Sequence, residues 1–220
     1  MRRFDPALLQ LRELIGSGAL GRVDTVRVAS HDHEPPSEQY AAGSGGIFRD
    51  QLIHDFDMIR WVTQSEVAWI FAAGAIRALS FLERYGDVDT TVLAFGLSSG
   101  PLGVLTGTRE DGRGEDVRIE AIGSADSASA GLNARTPLRL CDPLGVAADL
   151  PPYMDARDRF ADAYAAELSH FITAARDGGD SACTPRDALG TLLVAAAAEQ
   201  SLAQRVPVPV THAADLLDTA

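Results

Sequence analysis

A series of short apolar or alternating runs between Glu66 and Leu140 constrains the fold more than any other feature of this 220-residue chain. The runs, which are separated by Gly, Ser and Asp, are AWIFAAG (68–74), TTVLAFGL (90–97), LGVLTG (102–107), VRIEAIG (117–123) and PLRLC (137–141). Such runs are typical of β-strands, and SSGPLG (98–103) predicts a hairpin turn. Because no helical pattern intervenes, we expect the strands to pair in a largely antiparallel sheet.

Helical patterns lie on both sides of this region. Asp5 followed by Pro6 is typical of a helix start, because Asp caps a helix and Pro suits its first position. Apolar spacing predicts further helices over 50–63, 157–175 and 186–205. A strand is expected at 23–30, a loop at 31–46 and an extended segment at 206–210, whose prolines cannot join a central strand. The order of these elements predicts one α+β domain over residues 1–220.

Composition and charge narrow the range of functions. Hydrophobic residues make up 46% and charged residues 23% of the chain, as in an ordinary globular protein. The net charge of −12 repels nucleic acid and anionic membranes, and the longest apolar run, 192–198, is too short to cross a bilayer. We therefore expect neither as a partner. Two isolated cysteines, and an N-terminal segment without the apolar core of a signal peptide, predict a cytoplasmic protein.

The segment SGGIFRDQLIHDFDMIRW (44–61) contains the strongest candidates for chemistry. At about 100° per residue, its apolar stripe consists of Leu52, Phe56, Ile59 and Thr63. The opposite stripe consists of Asp50, His54, Asp57 and Trp61. Asp50 and His54 are four residues apart, so they point the same way. A carboxylate can orient an imidazole and favour its protonated form for acid–base catalysis; an ordinary pair on a surface helix is the alternative. Asp57 is expected to be structural.

The run HDH (31–33) has two possible metal ligands. His31 and His33 share one face of a strand, and Asp32 or Glu34 could add an oxygen ligand. A third ligand at a zinc-binding spacing is absent from the sequence. No metal site is therefore predicted, and solvated loop residues are favoured over contacts with a substrate.

The run GGIFRDQLIHDFDMIRW resembles the signature of the inositol dehydrogenase-like branch of the glucose-fructose oxidoreductase (Gfo/Idh/MocA) family. Other segments are similar to the crossover helix, central strands and closing helices of its C-terminal domain: MRRFDPALLQLRELIGSGALGRV, DVDTTVLAFGLSSGPLGVLTGTR, VRIEAIGS, RFADAYAAELSHFITAARDG and DALGTLLVAAAAEQSLAQRVPV. The resemblance implies an α+β fold with a predominantly antiparallel open sheet covered on one face by helices, as in dihydrodipicolinate reductase. It also implies a homo-oligomer formed through the sheet face.

The same resemblance implies a reaction and its residues. Family members oxidise a secondary alcohol of a polyol or sugar, such as myo-inositol, with NAD or NADP. Their catalytic group is a Lys of the nucleotide-binding domain together with an Asp and a His, which match Asp50 and His54 here. His54 would take the hydroxyl proton as hydride leaves for the nicotinamide, and Asp50 would orient His54 and the substrate.

The chain departs from the family in two ways that bear on activity. It has no lysine, and its GSGG run (43–46) lacks the strand–turn–helix context that positions a pyrophosphate. We therefore expect a substrate-binding and oligomerisation half that lacks the N-terminal nucleotide-binding domain, binds no cofactor itself and is inactive alone. A non-catalytic assembly or sugar-binding module is the alternative.

A third departure concerns the substrate. In relatives, two tyrosines flank a glycine and an aspartate follows; in the matching stretch TREDGRGEDVR (108–118), Arg113 and Glu115 replace the tyrosines, whereas Gly114 and Asp116 remain. Arg113, Glu115 and Asp116 are therefore candidate substrate-binding residues. If this loop lines the pocket, a charged substrate or a different polyol is favoured over inositol; if it does not, these side chains face water.

Overall fold

The computed structural model describes residues 1–139, 141 and 150–217. Its strands are β1 (Val23–His31), β2 (Val67–Ala75), β3 (Thr90–Leu97), β4 (Leu102–Thr108), β5 (Asp116–Gly123), β6 (Ser127–Ala130) and β7 (Val208–Pro209). Its α-helices are α1 (Pro6–Gly16), α2 (Glu38–Ser44), α3 (Ile47–Asp50), α4 (Ile53–Thr63), α5 (Ala156–Arg159), α6 (Ala161–Asp177), α7 (Pro185–Gln204) and α8 (Ala213–Leu217). Short 3-10 helices span Arg2–Phe4 and Ser80–Tyr85.

The strands form one open sheet in the order β6–β5–β1–β4–β3–β2–β7. Every neighbouring pair is antiparallel except β1 and β4, which run parallel. Strand β1 lies between β4 and β5, which run in opposite directions, so it must be parallel to one of them and antiparallel to the other. The predicted α+β fold with a largely antiparallel sheet is confirmed. The turn at 98–103 joins β3 to β4 as predicted, and the proline-containing segment supplies the edge strand β7.

Four local predictions are wrong. The expected helix at 157–175 is interrupted at Phe160, so α5 ends at Arg159 and α6 begins at Ala161. No strand forms at 137–139, and residue 140 of the predicted strand lies outside the described residues. The last strand on that side is instead β6, whose sequence SASA lacks the β-branched and aromatic residues that signal a strand. The expected loop at 31–46 contains helix α2, which Ser37 caps. The expected helix at 50–63 is interrupted, so α3 ends at Asp50 and α4 begins at Ile53.

One face of the sheet carries the main core. Helix α4 packs against α1 and α7, and α7 packs against β2. Three of the four predicted apolar residues of the 50–63 segment, Leu52, Phe56 and Ile59, are at most 1% exposed. Burying each such side chain contributes about 1.5–3 kcal/mol. This packing holds the start of α4 beside the ends of β1 and β4, where the candidate site lies. Within the described part of the chain, no helix is long and apolar enough to span a bilayer.

Candidate active site

An open cavity of about 320 Å³ brings together the start of α4, the segment after β1 and the segment after β4. This volume is near the lower end of small-molecule sites. Its polar lining consists of Arg2, Asp32, Glu34, Tyr40, Asp50, Gln51, His54, Arg109, Glu115 and Tyr164. Asp50 and His54, which the sequence pattern paired, therefore face one cavity, although they belong to two separate helices.

Asp50 is held by two hydrogen bonds, one at each carboxylate oxygen. The Tyr40 hydroxyl donates to Oδ1 at 2.6 Å, and Nη1 of Arg109 donates to Oδ2 at 2.9 Å. Helix α3, which ends at Asp50, begins after Gly46, whose φ of 86° suits glycine. Oδ1 of Asp87 accepts a hydrogen bond from the first amide of α3, on Ile47, at 2.9 Å. These contacts give the Asp50 carboxylate a defined orientation at the cavity wall.

Arg109 organises the carboxylates of this wall. It follows β4 directly, and its side chain is 1% exposed. Nη1 donates to Asp50, and Nη2 donates to Oδ2 of Asp87 at 3.2 Å. Its Nε is buried without a hydrogen-bond partner among the described residues. The sequence does not predict this role, because nothing near Arg109 in the chain indicates that residues 22 and 59 positions away are its partners.

His54 lies in the first turn of α4 with its ring open to the cavity. The surrounding protein partly dehydrates the imidazole, although the side chain stays exposed on the cavity side, and Arg2 repels its charged form, so the pKa of His54 lies below its usual range. In the described structure His54 donates no hydrogen bond to Asp50, whose carboxylate accepts from Tyr40 and Arg109. Asp50 raises the pKa of His54, as expected, but burial and the charge of Arg2 outweigh that effect. A neutral His54 is available to accept a proton at neutral pH.

Two further carboxylates, Asp32 and Glu115, line the cavity. Asp32 follows β1 and is half-buried; burial, then repulsion from Glu115 and Asp55, raises the pKa of Asp32 from 3.8 to about 7. Glu115 is 6% exposed, and burial also raises its pKa. Its Oε2 accepts a hydrogen bond from the backbone N–H of His33 at 3.3 Å. From the sequence, the run that contains Asp32 is favoured as solvated loop over metal ligands or substrate contacts, whereas the structure places Asp32 in this lining.

The other two candidate substrate residues lie outside the lining. Arg113 is exposed, and its Nε donates to the carbonyl oxygen of Pro137 at 3.1 Å. Asp116 is 1% exposed, and it accepts a hydrogen bond from Nε of Arg118 at 3.1 Å. Of the three candidates in this loop, only Glu115 faces the cavity.

The histidines of the HDH run also lie outside the lining. Nε2 of His31 is 3.0 Å from Oγ1 of Thr106, and Nδ1 of His33 is 2.8 Å from the carbonyl oxygen of Asp111. Both residues are half-buried, so the expectation of solvated loop residues is wrong. Over residues 1–139, 141 and 150–217, no group of three or more His, Cys, Asp or Glu side chains is arranged to hold a metal ion.

Two carboxylates of α4 form ion pairs with the N-terminal 3-10 helix. Asp57, which was expected to be structural, accepts hydrogen bonds from Nε and Nη2 of Arg3 at 3.0 and 2.6 Å. Asp55 is 0% exposed and pairs with Nη1 of Arg2, a contact that the sequence analysis did not predict. The second pair matters for the cavity, because it neutralises one of the two arginines in the lining.

Comparison with known proteins agrees with this architecture. Residues 8–129 match a family model described as the GFO/IDH/MocA C-terminal domain. The chain therefore belongs to the Gfo/Idh/MocA family of oxidoreductases.

Individual relatives place the chain in the inositol 2-dehydrogenase-like branch of this family. It is 38% identical to myo-inositol dehydrogenase Hyg17 of Streptomyces leeuwenhoekii, covering 91% of this chain and 60% of the relative. It is 36% identical to myo-inositol 2-dehydrogenase of Thermotoga maritima, covering 93% and 61%. The crystal structure of a myo-inositol dehydrogenase from Corynebacterium glutamicum superposes with a TM-score of 0.84 at 29% identity, covering 96% of this chain and 63% of that one. The chain thus spans about three fifths of the length of these relatives.

Proposed function

We propose that this chain is the substrate-binding half of an NAD(P)-dependent oxidoreductase that acts on a secondary alcohol of a polyol or sugar. The observation that carries the proposal is the open cavity in which a neutral His54 lies beside an Asp50 oriented by Arg109 and Tyr40. A hydroxyl group needs a proton acceptor to be oxidised, and a neutral imidazole is suited to that role near pH 7. The match to relatives named as inositol dehydrogenases supports the same reaction class.

The residues of this chain account for the proton-transfer half of such a reaction. His54 accepts the proton of the hydroxyl group that is oxidised. Asp50 accepts a hydrogen bond from a hydroxyl of the substrate, and its ion pair with Arg109 keeps that carboxylate aligned. Both residues act at the same wall of the cavity, so they can contact one small ligand together.

Neither this cavity nor the GSGG run fits a dinucleotide cofactor. The cavity lining is rich in carboxylates, which repel a pyrophosphate. The run 43–46 is the end of α2 and the two-residue link to α3 rather than a turn between a strand and a helix. The surface that binds NAD or NADP would then belong to a nucleotide-binding domain outside these residues, and the chain by itself would be inactive.

Direct binding tests the substrate proposal without requiring turnover. Saturation-transfer NMR with myo-inositol should give signals with the wild-type chain and lose them with Asp50→Ala. His54→Ala should change the free energy of unfolding by less than about 0.5 kcal/mol, because the residue is exposed and makes no hydrogen bond in the described structure. Myo-inositol signals that persist in Asp50→Ala would contradict the proposal, as would NAD binding by the wild-type chain at micromolar concentrations.

We also propose that the uncovered face of the sheet contacts a second copy of this chain. Val92, Leu102 and Val104 are 49%, 56% and 37% exposed there. Arg27 and Glu120 are cross-strand neighbours on the same face, 3.7 Å apart, so a two-fold contact could exchange their pairing between copies. Light scattering should report a dimer or larger assembly for the wild type and a smaller species for Val104→Glu. A monomeric wild type would contradict this contact.

A further inference from the structure

The cations of the cavity are already neutralised by partners within the protein. Arg109 pairs with two carboxylates, Asp50 and Asp87. Arg2 pairs with the buried Asp55. His54 is neutral near pH 7, because its pKa lies below the usual range. The N-terminal ammonium of Met1, also in the lining, pairs with Glu167. Arg109 and Arg2 lower the pKa of Asp32, but burial and repulsion from Glu115 and Asp55 outweigh them.

Three acids of the lining have no such partner. Across the described residues, no ion pair involves Asp32, Glu34 or Glu115. Glu34 is exposed, so water screens its charge. Glu115 differs, because it is 6% exposed and only one backbone N–H donates to its Oε2 within the described structure. The other carboxylate oxygen of Glu115 is therefore available to a ligand in the cavity.

An uncompensated carboxylate in such a position favours a cationic ligand. Burying an ionised carboxylate without a partner costs free energy, and a cation that reaches it recovers part of that cost. Burial raises the pKa values of Asp32 and Glu115, which reflects the same cost. An ammonium group is suited to two adjacent carboxylates, because it donates up to three hydrogen bonds and each is strengthened by charge.

We propose that the preferred substrate is an amine-bearing polyol, an aminocyclitol or amino sugar, whose ammonium group faces Asp32 and Glu115 while a hydroxyl group faces Asp50 and His54. This inference rests on the proposed function, since it concerns the same cavity. It assigns specificity to one side of the cavity and acid–base chemistry to the other. Arg113 does not oppose such a ligand, because its guanidinium lies outside the lining.

Titration calorimetry with a matched pair of ligands tests the assignment. The pair is myo-inositol and an inosamine, in which one hydroxyl group of the cyclitol is replaced by an amino group. The wild-type chain should bind the inosamine about ten-fold more tightly than myo-inositol at low salt, and the preference should shrink as salt is added. Cyclohexylamine, which has the charge but no hydroxyl groups, should bind more weakly than the inosamine.

Two variants locate the preference, and one controls for net charge. Glu115→Gln and Asp32→Asn should each reduce the preference for the inosamine about five-fold or more, with little effect on myo-inositol. Glu110→Gln removes a negative charge at an exposed position outside the lining, so it should change the preference less than about two-fold.

Each other outcome has a distinct meaning. Equal or tighter binding of myo-inositol would overturn the inference and leave the proposed function standing. A preference that Glu115→Gln and Asp32→Asn do not reduce would also overturn it. Equal binding of cyclohexylamine and the inosamine would reduce the effect to charge attraction and overturn the polyol assignment. Failure of both cyclitols to bind would contradict the proposed function, and the inference with it.

Proton release provides a second readout. With a pKa of about 7, Asp32 is partly protonated at pH 7, and Glu115, Asp55, Arg109 and Arg2 are the charged groups that face it. A bound ammonium group stabilises the ionised form of Asp32, so binding should release protons and should tighten as the pH rises from about 5.5 to about 7.5. Calorimetry in buffers of different ionisation enthalpy measures the number released. Binding of the inosamine without proton release would contradict its contact with Asp32.

Discussion

Replacing Asp32 with asparagine should stabilise the protein by an amount that grows with pH. Asp32 is half-buried, and no ion pair compensates its charge in the described structure. Burial, then the charges of Glu115 and Asp55, raises its pKa from 3.8 to about 7. Ionised Asp32 therefore costs folding free energy, whereas a neutral amide of nearly the same shape does not incur the charge penalty.

The pKa of Asp32 is 3.8 in the unfolded state and about 7 in the folded state, and this difference sets the size and sign of the stabilisation. Between pH 3.8 and 7 the folded state keeps a proton that the unfolded state has lost, so the free energy of unfolding falls as the pH rises. At about 1.36 kcal/mol per pKa unit, the cost is about 1.5 kcal/mol at pH 5 and about 4 kcal/mol at pH 8. These are upper bounds, because Asp32 is partly exposed and water screens its charge. The stabilisation by Asp32→Asn should thus increase by up to about 2.5 kcal/mol between pH 5 and 8.

Urea unfolding of the wild type and Asp32→Asn at pH 5, 6, 7 and 8 measures this difference. Glu110→Gln is the matched control, since it also removes one negative charge but at an exposed position outside the cavity. The control should differ from the wild type by less than about 0.5 kcal/mol at every pH. An Asp32→Asn stabilisation that stays constant over this pH range would show that the carboxylate ionises equally readily in both states, and the account of charge in the cavity would be refuted.

Other substitutions test the ion pairs of Arg109 and the space around two glycines. Arg109→Met should lower the free energy of unfolding by about 3 kcal/mol at pH 7, because it leaves the carboxylates of Asp50 and Asp87 without their cation. A loss below about 1 kcal/mol in urea unfolding would contradict that role. Gly123→Ala should cost about 1–3 kcal/mol in the same assay, because its Cβ would lie 2.1 Å from the carbonyl oxygen of Leu20. Gly112→Ala, where no atom would lie within 4 Å of the added Cβ, should leave the Tm nearly unchanged, so equal losses in the two variants would refute the steric explanation.

Local sequence patterns predicted the main elements because their information lies within one strand or one helix. Strands β2 to β5, the turn at 98–103 and helix α7 follow from alternation, turn residues and helical spacing, and they occur where they were expected. The break between α3 and α4 was missed. Gln51, within that break, donates hydrogen bonds to the carbonyl oxygens of Ser30 and Thr108, and no periodicity within 50–63 reports those partners.

The sequence by itself determined the α+β class and brought Asp50 and His54 to attention, because a spacing of four residues and a family signature are both local. Only the tertiary structure decided what surrounds them. Arg109 reaches Asp50 across 59 residues, and Glu115 lies near Asp32 although 83 positions separate them. It also decided that Glu115 faces the cavity while Arg113 does not. The physical reason is that the charge balance of a cavity depends on which side chains pack together after β1 pairs with β4 and β5, and such long-range pairing leaves no mark in the pattern of any one segment.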